Sequence, residues 1–343
     1  MKDYPKLITK NLKLIKKNFN KKLYSNQQLR IFIALNLFYE MEKLMYLKKI
    51  NHKQYYEFVK NMKSISTISK KFIRSDLYKS KKYVNSLFEK NTVTFYNVWN
   101  NFEKTNIKKD GYLLLKKRLK LNNISSKQLI TNKICVDAGC GSGRYSHALL
   151  KLGAKKIISF DKNPKTIALA KKNYRSNKIK FHIGENKFPK IKKNSVDFIF
   201  SNGVIHHDYN IDKQLKSLSQ ILKKNGKMWL YVNGKMGLFS QIVDTCRDLL
   251  NDVKSYELIW HLNKFIKNKN KIYWYLDYLL PVYFWQDRKK FENKIRRYFN
   301  IDKFLDKGIK TDQSQILSTK KNGLFDQINF GQGMLKYIIS KKS

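Results

Sequence analysis

Apolar positions in the first 90 residues recur at helical spacing. Leu29, Ile33 and Leu37 share one face, the run Tyr39 to Leu44 follows, and Lys-rich faces separate the apolar stripes. No strand-like alternation or glycine cluster interrupts this stretch, which predicts three or four helices forming a cap or accessory region over residues 1–90. From about residue 105 the period changes. Short β-branched runs alternate with helical ones: KICVDA, RYSHALLKLG, KIISFD, PKTIALAKKNYR, IKFHIG, SVDFIFSNG, KQLKSLSQILKKNG and KMWLYVNG. That alternation predicts a parallel sheet with crossover helices, an α/β domain over residues 91–343. A long aromatic insert occupies 235–287, and the chain closes on RRYFNIDKFLDKG and a final strand, MLKYIISK.

Length and composition agree with this division. A chain of 343 residues accommodates one domain of roughly 200 to 250 residues with an appended piece. Its 42% hydrophobic and 14% aromatic content excludes a disordered polymer despite the charge. The formal net charge of +47 would ordinarily favour an anionic partner. Only nine of the 72 basic residues are Arg, however, whereas readers of phosphate and base edges rely on the bidentate guanidinium. The Lys excess therefore reads as a solvated surface; nucleic acid is possible but not favoured. Residues 1–90 hold 22 basic and 6 acidic residues, only a mild enrichment. Cys135, Cys140 and Cys246 are too few for a disulfide framework and wrongly spaced for zinc, so no metal site is expected and a cytoplasmic setting fits. No stretch of 18 apolar residues occurs. The nearest, Ile272 to Trp285, is short and contains Asp277 and Pro281, so no transmembrane segment is expected.

The informative run is Val136-Asp137-Ala138-Gly139-Cys140-Gly141-Ser142-Gly143-Arg144. A buried strand ends in an acid, and Gly139, Gly141 and Gly143 let the backbone turn and approach a ligand before a helix begins. A dinucleotide fingerprint would need its third Gly where Arg144 stands, and it sets a pyrophosphate at the helix N-terminus. Asp137 would repel a pyrophosphate; it attracts the ammonium and sulfonium of S-adenosylmethionine. The next strand ends at Asp161, about 20 residues on, where a carboxylate can take both ribose hydroxyls. The third ends at Gly184-Glu185-Asn186, where acid and amide can address an adenine edge. After the fourth, Asn202 and the turn through His206 and His207 form a floor on which methyl group and acceptor would meet.

These residues resemble the class I S-adenosylmethionine-dependent methyltransferases, the small methyltransferase-domain group. Motif I is matched by VDAGCGSGRYS, the ribose acid by Asp161, the adenine-contact position by Glu185 and the next motif by SVDFIFSNGVIHH. FYNVWNNFEK is similar to the aromatic lead-in before motif I. The resemblance implies a Rossmann-like sheet of seven strands in order 3-2-1-4-5-7-6, the last strand antiparallel and supplied by MLKYIISK. Glu185 stands where Asp is commoner, and residues 1–90 have no counterpart in the family.

Methyl transfer is an in-line displacement that depends mainly on positioning and exclusion of water, so few catalytic side chains are needed. His206 or His207 can take a proton from a hydroxyl or amine acceptor; the plainer alternative is that they cap the turn. No D/N-P-P-Y run and no Pro-Cys pair is present, which removes the usual grip on planar nitrogens and covalent attack on cytosine. The insert is expected to supply specificity as a lid, with Asp277 and Tyr283 as acceptor-binding residues, although an aromatic run is more often core. The expected activity is methyl transfer to an oxygen or nitrogen of a small molecule: a metabolite, glycan or lipid-like precursor. The alternative is an RNA or protein methyltransferase docking through the basic N-terminal helices.

Overall fold

The computed structural model describes residues 4–22, 27–45, 52–71, 108–186, 190–235, 237–267, 269–279, 284–308 and 331–342. In chain order these form α1 (Tyr4–Lys22), α2 (Gln27–Met45), α3 (His52–Lys71), α4 (Lys108–Leu121), the short α5 (Ser126–Leu129), β1 (Ile134–Ala138), α6 (Arg144–Lys151), β2 (Lys156–Asp161), α7 (Pro164–Asn173), β3 (Ile179–Ile183) and β4 (Val196–Asn202). There follow a 3-10 turn (Ile205–His207), α8 (Ile211–Ile221), β5 (Leu222–Asn233), α9 (Gly237–Leu249), α10 (Ser255–Phe265), α11 (Lys269–Leu279), α12 (Arg288–Ile295), β6 (Phe299–Phe304) and β7 (Met334–Lys341). The aromatic lead-in at 95–104 and Tyr283 lie outside the described residues.

The chain divides into two compact units. One comprises Met1–Asn91, Met236–Pro281 and Asn322–Gly331; the other comprises Thr92–Lys235, Val282–Lys321 and Gln332–Ser343. Most of the segment expected as an insert therefore shares a unit with the N-terminal helices. In that helical unit α1 buries Ile8, Leu12 and Ile15, and α3 buries Tyr55, Phe58, Met62 and Ile65, each a single helical stripe. Helix α2 is apolar on several sides and is buried accordingly, from Ile31 and Ile33 to Phe38 and Met41.

Long-range polar bonds fix α2. Arg30, itself buried, donates to both oxygens of Asp252 at 2.5 and 2.7 Å and to the Leu249 carbonyl at 3.2 Å. Buried Glu42 accepts from the Tyr275 hydroxyl at 2.6 Å and pairs with Lys271 at 2.9 Å. The ring of Phe38 lies 4.6 Å from Tyr275, 5.0 Å from Trp274, 6.1 Å from Tyr278 and 6.3 Å from Phe239. Tyr275 and Tyr278 of α11 are thus core of the helical unit.

The second unit is a seven-stranded sheet in order β3-β2-β1-β4-β5-β7-β6. Strands β1 to β5 run parallel; β7 is antiparallel to both β5 and β6. This is the Rossmann-like class I methyltransferase sheet, with MLKYIISK as the antiparallel strand. One core, around Phe198, Phe200 and Trp229, fills one face, and another, around Ile199, Leu215 and Leu230, fills the other. Helix α8 is shorter than its periodicity suggests, because Asn194 and Ser195 donate to the carbonyls of Gln220 and Ile221 and Leu222 already pairs with Val196 in the sheet.

Phe38→Ala should cost the helical unit about 3–5 kcal/mol, as for a large core aromatic that leaves a cavity. Chemical denaturation followed by tryptophan fluorescence checks this; an unchanged midpoint would mean the ring cluster does not hold α2 to α9 and α11.

Candidate active site at the carboxyl ends of the parallel strands

Register sets the geometry of the site. Asp137 of β1 pairs with Ser159 of β2 and Phe200 of β4, Asp161 pairs with Ile183 of β3, and Asn202 pairs with Tyr231 of β5. The residues named from strand ends therefore reach one edge of the sheet, where open α/β sheets bind ligands.

Asp137 is 3% exposed and lies under α6. Its Oδ2 accepts from the Ser146 hydroxyl at 2.7 Å, and Ser146 in turn accepts from the Ser159 hydroxyl at 2.9 Å. Burial pushes the Asp137 carboxyl up from 3.8 to about 7; the Ser146 bond and Arg144 oppose this and Asp161 adds to it. A carboxylate desolvated so far, with no ion pair to it among the described residues, is matched to a cationic ligand.

The glycine loop is tied to β2. The amides of Gly139 and Cys140 both donate to the Phe160 carbonyl, and Gly141 donates to Asp161 Oδ2 at 3.1 Å. Gly139 has φ +79°, and a Cβ there would come within 2.3 Å of Val204, so only glycine lets the β1 loop approach the β4 loop this closely. Gly143, at φ +85°, starts α6 with its amide bonded to the Cys140 carbonyl. The other oxygen of Asp161 accepts from the Asn163 amide at 3.0 Å, and burial raises its pKa against these two bonds.

The remaining residues separate by environment. Glu185 is exposed, whereas Asn186 is buried and its amide donates to Gln214 at 3.0 Å; Gln214 donates onward to the Ile205 carbonyl at 3.2 Å. Asn202 accepts from the indole of buried Trp229 at 3.1 Å. His206 is 1% exposed, and its Nδ1 accepts from the Asn233 amide at 3.1 Å, which assigns the proton of the neutral ring to Nε2. Its carbonyl accepts from the Phe284 amide at 2.8 Å. The neighbouring His207 is half-buried, with ring centroids 4.5 Å apart.

The strand-end edge thus brings together Asp137, Gly139, Gly141, Gly143, Asp161, Glu185, Asn186, Asn202, His206 and His207. Asp277 is half-buried on α11 of the helical unit. Ser146, Trp229, Tyr231 and Asn233 went unremarked in the sequence; Tyr231 donates to Asn233 at 2.6 Å, beside His206. Asn233 ends its strand as Asn202 does, and Asp137 nearly ends its own; that position was the available signal. The thiols of Cys135, pushed up to about 12, and of Cys140 are buried and held protonated, so neither is a nucleophile. No group of acids, histidines and cysteines suited to a metal ion occurs among the described residues, and no described helix is long and apolar enough to cross a membrane.

With a folded pKa near 7 against 3.8 unfolded, Asp137 favours the folded protein fully below pH about 4, and that contribution is lost as pH rises to about 7. Asp137→Asn should therefore raise the melting temperature of the ligand-free protein at pH 8 and raise it much less at pH 5, where most of the contribution is still present. Equal effects at both pH values would show that Asp137 titrates normally.

Comparison with known proteins finds methyltransferases. Residues 131–279 match a family described as a methyltransferase domain. A ubiquinone biosynthesis O-methyltransferase of Pelagibacter ubique is 33% identical over 108 residues, covering 31% of this chain and 44% of that protein. A ribosomal protein L11 methyltransferase of Colwellia psychrerythraea is 31% identical over 116 residues, covering 31% of this chain and 39% of that one. The chain spans less than half the length of either relative. A solved S-adenosylmethionine dependent methyltransferase of Mesorhizobium loti overlays with a TM-score of 0.42 at 14% identity, covering 62% of this chain and 92% of its own.

Proposed function

We propose that residues 131–279, which match a methyltransferase domain, work as a class I S-adenosylmethionine-dependent methyltransferase and that the protein methylates an oxygen or nitrogen of a small molecule, a metabolite, glycan or lipid-like precursor. The observation that carries this reading is the buried, proton-holding carboxylate of Asp137 beside a glycine loop with no room for a side chain at Gly139. When bound, S-adenosylmethionine supplies a methyl group on a positively charged sulfur. Asp137 gives that charge a low-dielectric counterpart. Asp161, already fixed by two backbone amides, holds the ribose hydroxyls with its remaining lone pairs. Glu185 and Asn186 address the adenine edge.

Of the two histidines, His207 is the better general base. The Nδ1 of His206 is engaged by the Asn233 amide, which fits a residue that positions the turn rather than one that shuttles protons. His207, half-buried beside it, is placed to take a proton from a hydroxyl or amine. A lid role for 235–287, with Asp277 and Tyr283 binding the acceptor, remains part of the proposal.

The second reading is an RNA or protein acceptor. Relatives include both a ubiquinone biosynthesis O-methyltransferase and a ribosomal protein L11 methyltransferase, so likeness alone does not choose.

Calorimetry should detect binding of S-adenosylmethionine and S-adenosylhomocysteine and none of NAD. Affinity for S-adenosylmethionine should fall towards tenfold per pH unit below about 7, because Asp137 must lose its proton to pair with the cofactor. Asp161→Ala should weaken it by about 1–3 kcal/mol. NAD binding in place of S-adenosylmethionine would overturn the reading. For the acceptor, methyl-labelled cofactor incubated with a cell extract should place the label in the small-molecule fraction, and His207→Ala should lower that rate by about 10² to 10⁴. Label in the RNA or protein fraction would instead select the second reading.

A further inference from the structure

Helix α1 carries seven lysines and no acid in nineteen residues. Four of them, Lys6, Lys10, Lys13 and Lys17, follow one another at spacings of four, three and four, which puts them on one face over about 16 Å of helix at 1.5 Å per residue. They line a groove of about 640 Å³ whose opposite wall is the first turn of α9 at Gly237 and Leu238. The groove lies wholly within the helical unit. Its floor is braced by a hydrogen bond of 3.1 Å from Thr9 to Gln241.

The charge inside it is unbalanced. No acid lines the groove, and none of the four lysines makes an ion pair among the described residues, whereas Lys16, one position off this face, is bound to Asp248 at 2.7 Å. The first turn of α9 adds no acid, and the positive end of a helix dipole also favours an anion. A compositional excess of lysine would scatter over every exposed face with acids interleaved, as on α3, where Glu57 stands between Lys53 and Lys60.

We propose that this groove binds the sugar-phosphate backbone of single-stranded RNA, one phosphate near each lysine. A single phosphate would engage one end of a row this long. A flat membrane surface would not enter a concavity. An extended polyanion meets both the length and the shape, and its bases can rest against the half-buried apolar side chain of Leu14. The inference does not rest on the choice of methyl acceptor; the groove can hold RNA as a substrate or as a tether.

The test uses the full chain and a fluorescently labelled twelve-nucleotide oligouridine. Lys6, Lys10, Lys13 and Lys17 are replaced together by Gln, and a control replaces the exposed Lys53, Lys63, Lys116 and Lys117, which removes the same charge. The groove variant should bind at least tenfold more weakly at about 0.15 M salt. Its slope of log affinity against log salt should be shallower by about 3, at about 0.7 per phosphate neutralised on a single strand. The control should change neither by more than about threefold in affinity and one in slope. Equal losses in both variants would overturn the proposal, since diffuse surface charge would then explain the binding. So would lysine-dependent binding to vesicles of acidic phospholipid with none to oligouridine. Should the fourfold variant misfold by circular dichroism, Lys10→Gln with Lys13→Gln must still give about half the change in slope, or the proposal fails.

Discussion

A carboxylate buried at the end of the first strand is the constraint on which the site depends. Asp137 is desolvated enough to hold its proton near neutrality and has two serines, in line, as its hydrogen-bonded support. Leaving such a group uncompensated is costly, so the surroundings must either hold it neutral or bring a cation to it. Ser146 fixes the first turns of α6 over β1, and the glycine loop can then run only where Gly139 comes against Val204. That approach ties the loops after β1 and β4 together, and every other candidate ligand contact is placed relative to them.

The far side of the site is held by backbone rather than by charge. Asn233 at the end of β5 sends its amide to His206 and accepts from Tyr231, while Phe284 donates to the His206 carbonyl. A turn fixed from β5 and from Phe284 holds His206, and with it His207, at the sheet edge.

How much of this was legible beforehand follows from the range of the interactions involved. The β1–β5 strands and the residues at their carboxyl ends came from local periodicity and from a glycine spacing that few ligands tolerate, whereas the strand order came from the resemblance to a known family. Local signals could not show that α9 to α11 join the N-terminal helices in one unit. That union rests on Arg30 with Asp252 and Glu42 with Tyr275, pairs more than two hundred positions apart. They also explain the aromatic run: Tyr275 and Tyr278 are buried against Phe38, which no reading of the run by itself could supply. Likewise the difference between His206 and His207 depends on which one meets the amide of Asn233, a partner on another strand.

A cationic cofactor on a chain of net charge +47 is an apparent contradiction that distance resolves. At physiological ionic strength exposed charges are screened beyond about 8 Å, so the lysines of the surface contribute little at the strand ends. Inside the sheet edge screening is weak, and one carboxylate at close range outweighs many solvated ammonium groups. Asp137 and Asp161 are both desolvated, both have their pKa raised, and they lie on adjacent strands, so the site is a local acidic pocket within a basic protein. The same reasoning applies in reverse on α1: in a groove without acids each of the four lysines has its neighbour in the row within one screening length, so their charges reinforce one another along it. Arrangement, and not the net count, decides which ligand each surface can hold.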